Sequence, residues 1–484
     1  MQNSCCQMNK YKTFFYNYWS IIFIMVLTPF LLCLILPILP THDDWAGTTK
    51  PDFNPFFIKE HFLFYGYHWR PFDTWIGYIV GRNPQLLWPA FNHILVVLGH
   101  LLCSLAVYRL LATLQFNKTA RNVATLFFFI TPATMATVTA IDSMNQVYAL
   151  IFGIVSLLIY VKAKKYQYIL WIATIFIATW WKENGLMWAL IGPILAYGFD
   201  FIDKRKLKKD ICIGIGVMAV YALAILLLPK DIIIHPEYEP GPIKIVKNFI
   251  KFILSTFITV DYIYLLHKPS RNLFAVCITF VLTFPFIYFI FIRKSNNFLH
   301  KKMVCTILCL LIAVGPHIGT IFSMMHTYAG LAMLAIIIAF SIHRYEQHIK
   351  PVMLSFIIFC LAAIMIDIHL ILSSVESGLV GKKMAQEAIR KTGNPVNSVY
   401  VVIIEDDYPK LSSFCVIPNE AFGWGLAARY ETNYKWPNMI RDTTITRTPD
   451  AIMKAQQLSR QILRDNNLDC VWIVNHKDIE VIKK

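Results

Sequence analysis

A bundle of membrane-spanning helices followed by a small α/β domain is the fold this sequence predicts. Three observations carry that expectation. Apolar runs of about 20 residues, the length that crosses a bilayer as a helix, recur through the first three quarters of the chain. Mean hydropathy is +0.52, with 57% hydrophobic and 15% charged residues, which excludes an ordinary soluble enzyme. From about residue 373 the long apolar runs give way to alternating strand and helix patterns. Within the membrane part a helix is required, because hydrocarbon offers backbone amides no other hydrogen-bond partner.

The first apolar segment, residues 18–40, follows only Lys10 and Lys12 as charges. It is too long for the apolar core of a signal peptide and ends in Leu36-Pro37-Ile38-Leu39-Pro40, so it is expected to remain as an anchor. The net charge of +16 would suit a nucleic-acid binder. The Lys and Arg residues, however, fall in short loops between apolar runs, the pattern that orients a membrane protein, so no nucleic-acid partner is expected. Lys10 and Lys12 place the N-terminus in the cytoplasm. The basic clusters at 109–121, 162–165, 204–209, 293–302 and 344–350 belong on the same side. Segments 18–40, 86–114, 123–141, 144–161, 166–181, 186–200, 211–229, 272–292, 303–322, 327–343 and 351–372 satisfy this, giving about 11 transmembrane helices with the C-terminus outside. Residues 248–266 are apolar but contain Lys251 and Asp261. They read as a helix lying at or re-entering the outer surface, with an ordinary span as the alternative.

The loop 41–85 is rich in Trp, Tyr, Phe and His, which settle at headgroup depth, and short interfacial helices are expected there. The expected domains are a membrane part, 1–372, and an extracytoplasmic α/β domain, 373–484. In the latter, 398–405 and 469–475 read as buried strands and 449–464 as an amphipathic helix. Most of the eleven cysteines lie inside apolar runs and none forms a CxxC pair. Cys415 and Cys470 share the tail and either pair or remain two buried thiols.

His42-Asp43-Asp44-Trp45 stands where the first apolar segment ends. A carboxylate at the lipid–water boundary can take a proton from an acceptor hydroxyl while a lipid-anchored donor stays in the bilayer. A second carboxylate can position the first, bind a metal or raise its pKa. Equally, an acid pair at a helix exit can simply cap the next turn. Further along come His68-Trp69-Arg70-Pro71-Phe72, then Trp88-Pro89-Ala90-Phe91-Asn92-His93 with His100 beyond it. Thr131-Pro132-Ala133-Thr134, Ile141-Asp142-Ser143-Met144-Asn145 and Trp181-Lys182-Glu183-Asn184-Gly185 follow.

This ordered series resembles the GT-C superfamily of integral-membrane glycosyltransferases. It is most similar to the branch holding the transmembrane, tetratricopeptide-bearing O-mannosyltransferases and their bacterial relatives. The resemblance covers roughly residues 40–200 and rests on the acid pair, the aromatic-Arg-Pro element, the Phe-Asn-His entry to the second helix and the Lys-Glu-x-Gly turn. Trp69, Phe72, Thr131 and Trp181 depart from the branch's usual residues, and no tetratricopeptide repeats follow.

The resemblance implies a GT-C-like bundle and transfer of a sugar from a polyprenyl-phosphate-type lipid donor to a hydroxyl of a cell-envelope glycan, lipid or protein. It places the base role on Asp43, with Asp44 as the supporting acid. Arg70 suits a phosphate leaving group, since guanidinium offers two parallel hydrogen bonds; a surface Arg bonded to headgroups or to Asp73 is the alternative. Asp142 opens the second outer loop, facing either the same cavity or solvent. Lys182 and Glu183 either contact phosphate and orient a second group or snorkel as a solvated pair. His326 and Tyr328 match an Arg/His-Tyr element that lines the donor cavity in such enzymes, or serve as an interfacial anchor. His93 and His100 share one helix face and read as packing or helix–helix hydrogen-bonding residues. Glu405-Asp406-Asp407 ends the first tail strand, either as a ligand site or as a solvated loop. No cofactor is required, and the acid pair is compatible with a divalent metal. In a bacterium this places a multi-pass protein in the plasma membrane. The competing functions are a transporter or flippase of lipid-linked sugars and a non-catalytic envelope assembly factor.

Overall fold

The computed structural model describes residues 2–41, 44, 70–73, 89–163, 165–226, 241–257, 269–292, 301–319, 323–345, 349–393, 398–405, 417–432, 439–465 and 468–484. The helices run α1 (Gln2–Ile35), α2 (Ala90–Thr113), α3 (Lys118–Ile130), α4 (Met135–Val138), α5 (Met144–Lys162), α6 (Gln167–Trp181) and α7 (Trp188–Gly198). They continue as α8 (Lys204–Leu226), α9 (Pro242–Phe257), α10 (Pro269–Ile287), α11 (Lys301–Ile318), α12 (Tyr328–Arg344) and α13 (Ile349–Thr392). The tail adds β1 (Val399–Ile404), α14 (Pro418–Phe422), α15 (Leu426–Glu431), β2 (Met439–Ile445), α16 (Ala451–Asp465), β3 (Cys470–Asn475) and β4 (Asp478–Lys483).

Among the described residues, 6 helical segments are long and apolar enough to cross a bilayer: Asn17–Ile35, Ala90–Thr113, Met144–Lys162, Lys204–Leu226, Met324–Arg344 and Ile349–Thr392. The chain is a helical membrane protein carrying a small sheet. Three segments expected as crossings, 123–141, 166–181 and 186–200, form shorter helices of 13, 15 and 11 residues. Their breaks have local causes. Thr131-Pro132 cannot continue α3, because proline brings no amide hydrogen and restricts the residue before it. Lys182 takes an extended conformation (φ −157°, ψ 145°) that ends α6. Asn117, part of a formal glycosylation sequon, instead caps α3, its side chain accepting from the Ala120 amide at 2.8 Å.

Aromatic packing joins the bundle where hydrophobic driving force between helices is weak. Phe127 of α3 meets Phe359 of α13 at 5.4 Å and Phe257 of α9 at 5.7 Å. Phe286 of α10 lies 5.1 Å from Phe359. One end of the bundle is basic. There Asp210, fully buried, accepts hydrogen bonds from Tyr160 and, at 2.8 Å, from Tyr168. The Lys209 ammonium sits 5.3 Å from the Tyr168 ring centre. Removing this carboxylate strands two phenolic hydroxyls. Asp210→Ala is therefore expected to cost about 2–3 kcal/mol, read as a lower midpoint in thermal unfolding of the purified protein, with Tyr168→Phe costing less. An unchanged midpoint would show that the cluster does not brace α5, α6 and α8.

The sheet has the order β2-β1-β3-β4, with β1 parallel to β2 and β3, and β4 antiparallel to β3. Helix α16 covers one face, and the end of α13 with α14 and α15 covers the other. Burial on both sides explains why β1 and β3 are almost unbroken apolar runs. These two strands and α16 occupy the stretches expected for them. Cys470 is a free buried thiol; Cys415 lies outside the described residues.

Helix α13 has 44 residues and continues without interruption across position 372, where the domain boundary was expected. Its upper half accepts close neighbours through small residues. A Cβ at Gly378 would stand 2.8 Å from Leu39 Cβ, and one at Gly381 only 2.1 Å from the Ala421 carbonyl oxygen. The tail also reaches the bundle elsewhere, since Ile141 and Phe91 pack with Met384, Phe422 and Ala427. It is seated at the end of the bundle opposite the basic rim.

Candidate functional site

The charged residues that the motifs single out converge where α5 begins and α6 ends. Asn145 lies 17 residues from Lys162 along α5, so about 26 Å separates this level from the basic rim. That is close to the thickness of a bilayer's hydrocarbon core, about 30 Å.

The Arg-Pro-Phe-Asp segment is held by its aromatic ring. Phe72 stacks on Trp181 at 5.7 Å and meets Trp180 edge-on at 5.8 Å, while Trp181 stacks on Tyr148 of α5 at 4.7 Å. With the ring anchored, Arg70 and Asp73 on either side are aimed into the cluster. Arg70 donates through Nε and Nη2 to the two carboxylate oxygens of Glu183, at 2.8 and 2.7 Å. This fork fixes the guanidinium plane as well as its charge. Asp73 accepts a hydrogen bond from Asn145 Nδ2 at 3.0 Å. Asn184 Nδ2 donates to Gln146 Oε1, also at 3.0 Å. Lys182 is buried, and its charge acts on Asp73.

Burial pulls the Arg70 pKa down, but Glu183 and Asp73 outweigh it and leave it raised, so the guanidinium stays charged. Burial lifts the Asp73 carboxyl above the usual carboxylate range, and Arg70, the Asn145 hydrogen bond and Lys182 offset only part of this. Asp73 thus holds its proton more readily than an exposed carboxyl does, while Glu183 is the ion-pair partner of Arg70. Two buried amide atoms beside them, Asn145 Oδ1 and Gln146 Nε2, have no hydrogen-bond partner among the described residues. One is an acceptor and the other a donor, the pair of functions a hydroxyl can satisfy.

The Lys-Glu-Asn-Gly turn needs its glycine for space. A Cβ at Gly185 would stand 2.3 Å from the Ala178 carbonyl carbon of α6, while the Gly185 amide donates to Lys182 O at 2.8 Å. Gly185→Ala is expected to push the turn off α6, cost about 1–3 kcal/mol and displace Lys182 and Glu183 together. Thermal unfolding reads the first effect and ligand binding by the folded fraction the second. A variant with native midpoint and native binding would refute the close-approach argument.

Of the residues predicted from sequence, Arg70, Lys182 and Glu183 are brought together. His326 stacks on His317 at 4.7 Å, and His317 lies within electrostatic reach of Lys182, Glu183 and Arg70. Tyr328 is not brought to the cluster. It is fully buried at the start of α12, its hydroxyl 2.6 Å from His100 Nδ1, while His100 Nε2 lies 3.0 Å from Phe129 O. His93 Nε2 likewise meets Ile38 O at 2.9 Å. Both histidines thus tie neighbouring segments together. Asp44 accepts from the Thr41 amide at 3.0 Å through Oδ2 and donates its own amide to Thr41 O, also at 3.0 Å, closing a turn just past the first span. Asp43 lies outside the described residues. Asp142 sits in the turn Ile141–Ser143, three positions before Asn145, and its side chain is outside the description. Asp406 and Asp407 are outside it too.

Sequence reasoning passed over Asp73, Asn145, Gln146 and Asn184 as site residues. An available signal was polar amides at the start of an otherwise apolar helix, Met144-Asn145-Gln146. Comparison with family models finds no match to this chain, and comparison with curated proteins finds none either.

Proposed function

We propose that this protein is a GT-C-like glycosyltransferase that moves a sugar from a polyprenyl-phosphate-type lipid to a hydroxyl of an envelope glycan, lipid or protein. The basic rim then faces the cytoplasm, with the N-terminus, and the cluster and α/β tail face outward. Eleven membrane segments (some of them short, as α3, α6 and α7 are) would build the bundle.

The observation that carries this reading is the convergence of Arg70–Asp73, Asn145–Gln146 and Lys182–Asn184 about one bilayer core away from the basic rim. In the proposed reaction the acceptor oxygen attacks the anomeric carbon as its proton passes to Asp43 or Asp44. The bond from that carbon to the phosphate oxygen breaks, and lipid phosphate leaves with the electron pair. Lys182 and Arg70, whose guanidinium plane is set by the fork to Glu183, meet the developing charge. Asn145 Oδ1 and Gln146 Nε2 suit sugar hydroxyls. A divalent metal is compatible with the acid pair but no step depends on it.

The test is reconstitution of the full chain in vesicles with synthetic polyprenyl-phosphate sugars and an envelope extract as acceptor. Mass spectrometry should find released lipid phosphate together with a glycosylated product. Movement of the lipid-linked sugar across the bilayer without any product would favour the transporter instead. The half-length helices α3, α6 and α7 are the feature that reading would use.

A further inference from the structure

Four buried polar atoms at the starts of α2 and α5 have no hydrogen-bond partner among the described residues: Asn92 Oδ1, His93 Nδ1, Asn145 Oδ1 and Gln146 Nε2. Asn92 and Asn145 are 6% exposed, Gln146 1% and His93 0%. An unpaired buried polar atom is costly, so a set of them gathered at one level is best accounted for by groups supplied from outside the chain. Asn145 and Gln146 belong to the cluster already described. Asn92 and His93 do not.

Both helices run the same way, toward the basic rim, α2 through Arg109 and α5 to Lys162. They touch along one stripe: a Cβ at Gly99 would stand 2.6 Å from Val147 Cγ1, and Cys103 Sγ donates to Val147 O at 3.2 Å. Asn92, Val96, Gly99 and Cys103 follow the four-three-four spacing of a single helix face, so Asn92 faces α5 and the turn Ile141–Ser143 before it, which α2 also touches. Counted outward from the Val147 contact, Asn92 lies about 8–10 Å beyond Asn145. His93 is on the neighbouring face, against the exit of α1, with Nε2 2.9 Å from Ile38 O. Ile38 stands three positions before Thr41, the residue whose amide Asp44 holds.

These unpaired valences are mostly of one kind. Ile38 O can only accept, so the shared proton belongs to His93 Nε2, and in the neutral ring Nδ1 is a bare acceptor. Asn92 Oδ1 and Asn145 Oδ1 are acceptors too, and Gln146 Nε2 is the one donor of the four. Phosphate, carboxylate and ester groups bring acceptors only and would leave three of the four atoms unpaired. An ammonium brings donors, but Arg70 and Lys182, in the cluster with Asn145, oppose a further positive charge. A carbohydrate presents hydroxyls on adjacent carbons, each able to donate and to accept, and so satisfies both kinds of atom.

We propose that Asn92 and His93 bind two hydroxyls of a carbohydrate acceptor, so that the accepting group is a sugar hydroxyl rather than one on a peptide or a phospholipid. This deepens the function proposed above and rests on it for the reaction. The sugar then sits one tier outward of Asn145 and beside the turn that Asp44 closes, where a hydroxyl can meet the carboxylate that takes its proton.

The test uses the full chain in nanodiscs and, as probes, the methyl glycosides of glucose, galactose, mannose and N-acetylglucosamine, with binding followed by saturation-transfer NMR. At least one should bind to wild type. Asn92→Leu and His93→Phe, which remove an acceptor, should each weaken it about tenfold, while His93→Gln, which keeps a donor for Ile38 O and an acceptor besides, should stay within about threefold. The permethylated form of the same sugar accepts but cannot donate and should not bind to wild type, a comparison that needs no variant. Ethanolamine should not compete. Binding of none of the glycosides, equal binding of the permethylated sugar, competition by ethanolamine, wild-type affinity in both Asn92→Leu and His93→Phe, or loss in His93→Gln would overturn the proposal. Sugar binding with the expected pattern in a protein that transfers no sugar would defeat the glycosyltransferase reading instead and leave the carbohydrate subsite in place.

Discussion

Arg70→Gln is expected to lower sugar transfer by a hundredfold or more, about 2.7 kcal/mol of transition-state stabilisation. The fork to Glu183 sets the guanidinium plane, and glutamine can reproduce neither the charge nor the two-point geometry. Stability should fall as well, because Glu183 loses its partner and Asp73 loses the largest influence that offsets its burial. The side chains of the pair are 19% and 33% exposed, so the stability cost should stay near 1–3 kcal/mol, below that of a fully buried pair. Glu183→Gln in the same background separates the two effects. The double variant should regain part of the lost thermal midpoint, since the Glu183 carboxylate is no longer stranded, yet transfer should remain low. Transfer per folded molecule at the wild-type level in Arg70→Gln would remove Arg70 from the reaction and leave it a brace.

Replacing both Asp43 and Asp44 with Asn should abolish measurable transfer, since loss of a general base typically costs about 10²–10⁴-fold. The substitution suits the purpose because the asparagine oxygen at position 44 can still accept from the Thr41 amide. The turn after the first span is thereby kept while the proton acceptor is lost. Membrane insertion and thermal midpoint should match wild type. The two single variants then assign the base: the one retaining more activity identifies the supporting acid. Transfer surviving in the double variant would end the assignment and point to Asp73, the buried carboxyl held by Asn145.

What could be read in advance follows the physics of each segment. Helices such as α2 and α5 declared themselves because their apolar runs are uninterrupted. The runs around Ile130 and Trp181 remain apolar up to their breaks, so a hydropathy window cannot see that each helix stops short. In the tail, β1 and β3 were legible because both faces are buried. By contrast, β4 alternates exposed Asp478 and Glu480 with buried Ile479, and β2 carries Arg441, Asp442 and two threonines along the other edge. Such edge strands have too little apolar content to stand out. At the site, Arg70, Lys182 and Glu183 stood out as charges in a charge-poor chain. Asn145 and Gln146, which bond Asp73 and Asn184, are neutral and reach the cluster only through folding, as does Asp73, which was visible merely as a neighbour of Arg70.

The unbroken run of α13 has a mechanical consequence. About 66 Å of continuous helix leaves no swivel between the portion in the lipid and the portion beneath the sheet. A load applied to the outer domain is therefore transmitted as torque to the contact of Gly378 with Leu39, two residues before Thr41. With Ile141 clamped by the same domain, the α1 exit and the approach to Asn145 are yoked to one rigid lever.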